Sequence, residues 1–385
     1  MKIALFTDSF YPGVGGTETA VMGLANSFSK HHDVVVCAPE GKGKYKDDFS
    51  FRVLRTKSFK WTSNEFLAFP FQSKKFIKDL DEFAPDILHC HTASPMASYA
   101  MYYGKKHNIP VVLTLHTKFS MCYCQNWFTK LFLQPLLSPI RKNIKKADVV
   151  TTVSWDMFPE IKHYYHFDGN VTVIKNGADF DRILAGNVPP QLAIDKFQLQ
   201  NKQNVLLFVG LITKYKNLEF LIDSLKILKD TGLPFTALFV GRSLHQPYLE
   251  KHAQKIGVRD RMVFCGQITD KDLLSSIYAA SDLMLFPSIF DNDPMTVVEA
   301  ALRQLPSLTL ENTGSSERIT DNVNGFIEKN DVKAYAQRIY TLLQDKQALK
   351  QVGATAKDTI PKTWDQVAEE YLQLYRKTID SKCKN

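Results

Sequence analysis

Leu283-Met284-Leu285-Phe286-Pro287-Ser288-Ile289-Phe290-Asp291-Asn292-Asp293-Pro294-Met295-Thr296-Val297-Val298-Glu299-Ala300 passes from an apolar run through a polar loop into a helix-like segment. The run Leu283 to Phe286 is short and wholly apolar, as in a strand buried on both faces of a parallel sheet. Met295 to Leu302 reads as a helix, and Pro294 suits its first turn, where a missing N–H costs least. The amides of Met295 and Thr296 would then have no intrahelical partner and would point at any anion bound there. Asp291 lies in the loop, and Glu299 stands eight positions further on, in the helix. One segment thus offers a strand, a cradle for phosphate and a carboxylate that grips a polar ligand beside it.

The same alternation runs outward from this segment. Upstream come strand-like Val205–Val209, Thr236–Val240 and Met262–Cys265, separated by helical Leu218–Lys229, Tyr248–Lys255 and Lys271–Ala280. Ser307–Leu310 follows as another strand. The first half repeats the scheme. Lys2–Thr7, Asp33–Ala38, Asp86–His89, Val111–Leu115, Val149–Val153 and Val171–Ile174 read as strands; Thr17–Phe28, Lys74–Phe83 and Ser94–His107 read as helices. Asn176-Gly177-Ala178-Asp179 interrupts the pattern, and a polar, loop-like stretch continues to about Asn204. The spacing predicts an α/β chain of two doubly wound, Rossmann-like domains, residues 1–178 and 179–361. Ligands are expected in a cleft between them, at the C-terminal ends of the strands. The amphipathic tail from Trp364 to Lys377 is expected to pack back on the first domain, so that residues 362–385 join it.

A chain of 385 residues is long enough for two cores. Its 44% hydrophobic content is that of a soluble globular protein. No apolar run approaches the roughly 20 residues that span a bilayer. The N-terminus turns polar too soon for a signal peptide and reads as a first buried strand, so a cytoplasmic protein is expected. Cys37, Cys90, Cys122, Cys124, Cys265 and Cys383 show no regular framework and read as reduced thiols. The net charge of +8 suits nucleic acid, phosphates or an anionic membrane face. No nucleic-acid motif is present, and nucleic acid is not an expected partner. Arg141-Lys142-Asn143-Ile144-Lys145-Lys146 follows the apolar Trp127–Leu137 segment. This suits peripheral contact with anionic lipid, and equally a solvated helix face beside a core helix.

Several strand ends carry candidate chemistry. After the first strand, Gly13, Gly15 and Gly16 allow a ligand close to the backbone at a helix N-terminus. A nicotinamide site would want an acidic residue ending the second strand; Cys37-Ala38-Pro39-Glu40 does not supply it. In His89-Cys90-His91, strand alternation sends the two histidines one way and the cysteine the other. No partner cluster follows, so no metal is expected, and these read as structural histidines at a cleft rim. His116 ends another strand and should open toward the ligand. Lys214 and Lys216 stand in the loop after Val209, placed to neutralise a diphosphate.

In this order the pieces resemble the large retaining glycosyltransferase family often called family 4, of the GT-B fold, over nearly the whole chain. The resemblance matches the glycine loop at Gly15 and Gly16, a histidine at His116 and a phosphate-binding lysine at Lys216. It matches a motif of two glutamates separated by seven residues to Asp291 and Glu299, facing donor sugar hydroxyls and donor ribose respectively. Gly266-Gln267-Ile268 falls where the family contacts the base, making Ile268 a candidate donor contact beside Pro294, Met295 and Thr296. Glu317-Arg318, Asn324-Gly325-Phe326 and the helix from Trp364 to Tyr375 also match. Two positions depart: Leu211 stands where the family usually has arginine, and Asp291 replaces glutamate.

The resemblance implies retaining transfer of a hexose from a nucleoside diphosphate sugar, commonly UDP-linked, with no metal and no cofactor beyond that donor. Catalysis would involve His116, Asp291 and Lys216. Thr117, Lys118 and Tyr123 fall on the acceptor side. The acceptor implied is membrane-associated, either a diacylglycerol-type glycolipid or a lipid-linked surface polysaccharide, met at the inner face of the plasma membrane. Two rival readings remain: a GT-B-like sugar-nucleotide epimerase, and a non-catalytic partner subunit of a glycosyltransferase complex.

Overall fold

A computed structural model gives the architecture. It describes residues 1–13, 15–41, 46–118, 127–179, 188–200, 203–243 and 245–383, except 61–65. The chain divides into two compact units: Met1–Gly177 with Lys362–Asn385, and Ala178–Pro361.

The first unit contains β1 (Lys2–Phe6), α1 (Gly16–Phe28), β2 (Asp33–Pro39), β3 (Arg52–Thr56), β4 (Ser58–Lys60), β5 (Phe66–Ala68), α2 (Lys74–Phe83) and β6 (Ile87–Cys90). It continues with α3 (Pro95–His107), β7 (Val111–Leu115), α4 (Trp127–Lys146), β8 (Val149–Thr152), α5 (Phe158–His163) and β9 (Val171–Val173). Seven strands form one sheet in the order β3-β2-β1-β6-β7-β8-β9, with every pair parallel. β4 and β5 form a separate antiparallel pair.

The second unit contains α6 (Gln191–Phe197), β10 (Val205–Val209), α7 (Leu218–Asp230), β11 (Thr236–Val240), α8 (Gln246–Ile256), β12 (Met262–Gly266), α9 (Lys271–Ala279) and β13 (Leu283–Phe286). Next come α10 (Met295–Leu302), β14 (Ser307–Leu310), β15 (Phe326–Glu328), α11 (Val332–Leu343) and α12 (Lys346–Thr359). Its six strands run parallel in the order β12-β11-β10-β13-β14-β15. The chain then returns to the first unit as α13 (Trp364–Cys383).

Burial explains the strands. All residues of β10, β11 and β13 are buried, as a sheet covered on both faces requires. Phe208 of β10 has its ring centroid 6.1 Å from that of Phe239 on β11 and 6.0 Å from that of Phe286 on β13. A side chain of this size contributes roughly 1.5–3 kcal/mol on full burial. Some helix starts in the second unit are capped by an aspartate: Asp270 accepts the amides of Asp272 and Leu273, Asp331 that of Ala334, and Asp345 those of Gln347 and Ala348. The helix α13 belongs to the first core. A Cβ on Gly23 of α1 would lie 2.3 Å from the Trp364 ring, so glycine is what admits the indole. Tyr371 and Tyr375 of α13 are buried.

The structure differs from the sequence expectation in places. The stretch expected as loop to about Asn204 contains α6, a short helix that buries Ala193. β3 escaped the apolar pattern because it lies at the sheet edge and leaves Arg52 exposed. The helices α11 and α12 carry their apolar residues on one face only. Among the described residues no helix is long and apolar enough to cross a membrane.

Backbone meets backbone at Gly314, where a Cβ would lie 2.1 Å from the Asn292 carbonyl oxygen. Gly314→Ala is therefore expected to force the two loops apart at a cost of about 2 kcal/mol. In calorimetry the unfolding of the second unit should shift down by roughly 4–8 °C. Gly16→Ala, whose Cβ meets nothing within 4 Å, should leave the melting profile in place.

Candidate functional site

In the second unit the strand order reverses between β10 and β13, which are hydrogen-bonded neighbours. Their following connections lead to helices on opposite sides of such a sheet, which opens a gap at the strand ends. The loop after β10 holds a short 3-10 turn, Lys214–Lys216. The loop after β13 leads to α10. Lys216 and Asp291 meet across this gap: Lys216 Nζ lies 2.6 Å from Asp291 Oδ1 and 2.5 Å from Oδ2. Both side chains are largely buried, at 15% and 19% exposure. The ammonium also sits 5.3 Å from the Phe286 ring centroid. Lys214 is exposed, and Leu211 is exposed too. Tyr215 and Phe290, the residues just before Lys216 and Asp291, face each other with ring centroids 5.4 Å apart.

Glu299 sits in the middle of α10 and is buried, with Oε2 accepting a 2.9 Å hydrogen bond from the Tyr278 hydroxyl. Tyr278 is itself fully buried on α9, so it fixes the orientation of the carboxylate. Pro294 caps α10 in extended conformation instead of occupying its first turn; ψ of 121° keeps it out of the helix. The helix therefore begins at Met295, and no earlier turn supplies carbonyls to the amides of Met295 and Thr296. Ile268 is half-buried against the core, just after Gly266, whose φ of +70° turns the chain.

The loop is held from below. Arg318 donates from Nε to Asp293 Oδ1 at 2.7 Å and from an Nη to Oδ2 at 2.8 Å. Its other Nη donates to the Ile360 carbonyl at 3.0 Å. The Asp293 side chain is 1% exposed, so this is a buried, forked ion pair. With Gly314 pressed on Asn292, it fixes the backbone that presents Asp291 and the start of α10.

In the first unit the order reverses between β1 and β6. Gly15 caps α1 in extended conformation. A Cβ on Gly15 would lie 2.6 Å from Glu18 Oε2, so Glu18 of α1 already packs against the glycine loop, where it accepts a hydrogen bond from Ser9. Gly16 opens the helix with free space beside it. Asp8 follows β1 and accepts from Thr92, from Ser94 and from the Met96 amide, so it ties β1 to the start of α3. Burial raises its pKa, against those hydrogen bonds, which lower it.

His89 and His91 project together, as strand alternation requires, with ring centroids 4.1 Å apart. Neither sits at a rim: His89 is fully buried, bonded through Nδ1 to the Tyr375 hydroxyl and through Nε2 to Thr114 Oγ1. The cause is α13, whose tyrosines cover this part of the sheet. Burial pushes the pKa of both histidines well down. His116, half-buried just past β7, places Nε2 3.2 Å from His91 Nδ1. Lys118 is buried and ion-paired with Asp156, and the Thr117 carbonyl accepts from the Tyr165 hydroxyl at 3.2 Å. Tyr123 lies outside the described residues.

Sequence reading did not find Tyr278, Asp293 or the grip of Arg318 upon it. Tyr278 stands beside Ile277 on the buried side of its helix and reads as a core residue. The Asp293–Arg318 pair spans 25 positions and can be seen only once the loops after β13 and β14 are adjacent.

Residues 14–182 match the family model described as Glycosyltransferase Family 4, and residues 191–359 that described as Glycosyl transferases group 1. The chain is 23% identical over 348 residues to the alpha-monoglucosyldiacylglycerol synthase of Acholeplasma laidlawii, covering 86% of each protein. It is 23% identical over 368 residues to the sulfoquinovosyl transferase SQD2 of Arabidopsis thaliana, covering 94% of this chain and 70% of the other. Among solved structures, a sucrose-phosphate synthase from Thermosynechococcus elongatus superposes with a TM-score of 0.80 at 18% identity, over 99% of both chains. Anabaena Alr3699/HepE in complex with UDP does so with a TM-score of 0.77 at 19% identity, over 98% of this chain and 100% of the other. With two family matches that adjoin and together span most of its length, and with these neighbours in architecture, the chain belongs to the family 4 glycosyltransferases and has the GT-B fold.

Proposed function

We propose that this glycosyltransferase moves a hexose, with retention at the anomeric carbon, from a nucleoside diphosphate sugar to a hydroxyl of a membrane-associated acceptor. The observation that carries the reading is the meeting of Lys216, Asp291 and the start of α10 at one strand-order reversal. Breaking the bond between the anomeric carbon and the diphosphate leaves negative charge on the leaving group. Lys216 and the amides of Met295 and Thr296 supply positive electrostatics for that charge, in a place already shaped before the donor arrives. The pair with Asp291 keeps the Lys216 ammonium neutralised and oriented until a diphosphate competes for it. Asp291 then turns to the hexose hydroxyls, and Glu299, aimed by Tyr278, accepts from the ribose. No metal ion is required in this scheme. His116 serves the hexose or the acceptor hydroxyl.

UDP is the nucleotide we favour, because HepE is described in complex with UDP and with UDP and glucose. The acceptor class follows the names of relatives: alpha-monoglucosyldiacylglycerol synthases in Acholeplasma laidlawii and Streptococcus pneumoniae. In this reading the reaction runs at the cytoplasmic face of a membrane. Thr117 and Tyr123, with the region following β7, are the acceptor side in this reading. The buried Lys118 shapes that region through its ion pair with Asp156.

Glu299→Ala removes a charge-assisted hydrogen bond to the donor, a change worth roughly 1.5–3 kcal/mol. The KM for the donor should rise about 10- to 100-fold, with the KM for the acceptor unchanged. An unaltered donor KM in a folded Glu299→Ala protein contradicts the assignment. Incubation with UDP- and GDP-hexoses, with and without a membrane lipid extract, tests the reaction class. Transfer predicts nucleotide release and a glycosylated lipid only when the extract is present. Conversion of the nucleotide sugar without any acceptor would instead identify an isomerase.

A further inference from the structure

Lys216 and Asp291 are bound to each other and to nothing else of opposite charge. Lys216 Nζ lies within 2.6 Å of both Asp291 oxygens, and among the described residues neither group has a second hydrogen-bond or ion-pair partner at its side-chain end. The lysine stem is confined: a Cβ on Gly210 would lie 3.9 Å from Lys216 Cε, and the Phe286 ring flanks the ammonium. No replacement cation stands ready for Asp291. Arg318, which reaches this loop from the connection after β14, is committed to Asp293, and Lys214 is exposed.

An anion that takes Lys216 therefore strands Asp291. A largely buried carboxylate without a counterion is costly, and a second anion brought beside it adds like-charge repulsion. The two parts of a nucleotide sugar meet that cost differently. The diphosphate gives Lys216 a new partner and brings Asp291 only further negative charge. The hexose gives Asp291 hydroxyl donors, and a hydrogen bond to an ionised acceptor is a strong one. A free nucleoside diphosphate lacks the hexose, and its terminal phosphate bears an ionisable oxygen that the sugar ester does not.

We propose that the Lys216–Asp291 pair distinguishes the intact nucleotide sugar from the free nucleoside diphosphate, admitting the first and rejecting the second. The pair opens at little cost only when a hexose hydroxyl takes Asp291 as the diphosphate takes Lys216. After transfer the hexose belongs to the acceptor. Asp291 then has no hydroxyl to face, recovers Lys216, and the nucleotide leaves. This rests on the donor site proposed above and gives the same two side chains a further property: weak inhibition by the product nucleotide.

Titration calorimetry with UDP, UDP-glucose and UDP-galactose, and with GDP and GDP-mannose alongside, tests this. The unmodified protein should bind one nucleotide sugar about tenfold or more tighter than the matching nucleoside diphosphate. Asp291→Asn keeps the size of the side chain and removes its charge, so Lys216 is released to any diphosphate. The nucleoside diphosphate should then bind about tenfold tighter, the nucleotide sugar should gain little, and the preference should vanish. Asp291→Ser, equally uncharged, should shift the nucleotide in the same direction. Damage to the fold would weaken both ligands, so a tightened nucleotide is a result that a merely structural role of Asp291 does not give. Equal affinities in the unmodified protein overturn the discrimination and leave the donor site standing. Unchanged or weaker nucleotide binding in folded Asp291→Asn does the same. Failure of every nucleotide sugar to bind the unmodified protein overturns the donor site itself, and this proposal with it.

Discussion

A parallel sheet whose strand order reverses must part the loops at the reversal, and the chemistry of this protein is arranged around that constraint. Between β10 and β13 the gap is bridged by one ion pair, Lys216 to Asp291. The pair matters because each partner belongs to a different connection, so it sets where both connections come to rest. A like arrangement of free side chains would cost rotamer entropy on binding. Here most of that cost is met on folding, because Phe286 beneath the ammonium and the low exposure of both groups already restrict them.

The carboxylate end of the pair depends in turn on a buried scaffold. Asp293 and Arg318 form a forked pair that would be costly if either partner were lost, since the survivor would be an uncompensated buried charge. Gly314 allows the loop after β14 to touch the loop after β13 backbone to backbone. Tyr278 and Glu299 extend the same logic into α10: a neutral hydroxyl, buried, aims a carboxylate. In the first unit the support is aromatic. The helix α13 supplies tyrosines to His89, whose ring packs on His91, which packs in turn on His116.

Much of the architecture was legible because buried parallel strands are apolar without interruption. Val205–Val209 and Leu283–Phe286 needed no partner to be recognised as strands. Leu283 to Ala300 showed strand, loop and helix in one reading, although Pro294 proved to cap the helix and not to begin it. What stayed hidden were pairings across sequence distance. The Lys216–Asp291 contact joins residues 75 positions apart, and nothing local in either segment announces it. His89 and His91 looked like rim residues because their cover, α13, lies at the other end of the chain. The short α6 and the edge strand β3 failed for the opposite reason: they bury too little for a periodic signal.

In the proposed function the donor is held by the loops after β10 and β13 in the second unit. Amide hydrogen–deuterium exchange, with and without a saturating UDP-hexose, tests it directly. Exchange should slow across residues 210–217 and 288–299, with the Met295 and Thr296 amides among the protected groups. Unchanged exchange in both segments while the ligand demonstrably binds would contradict it.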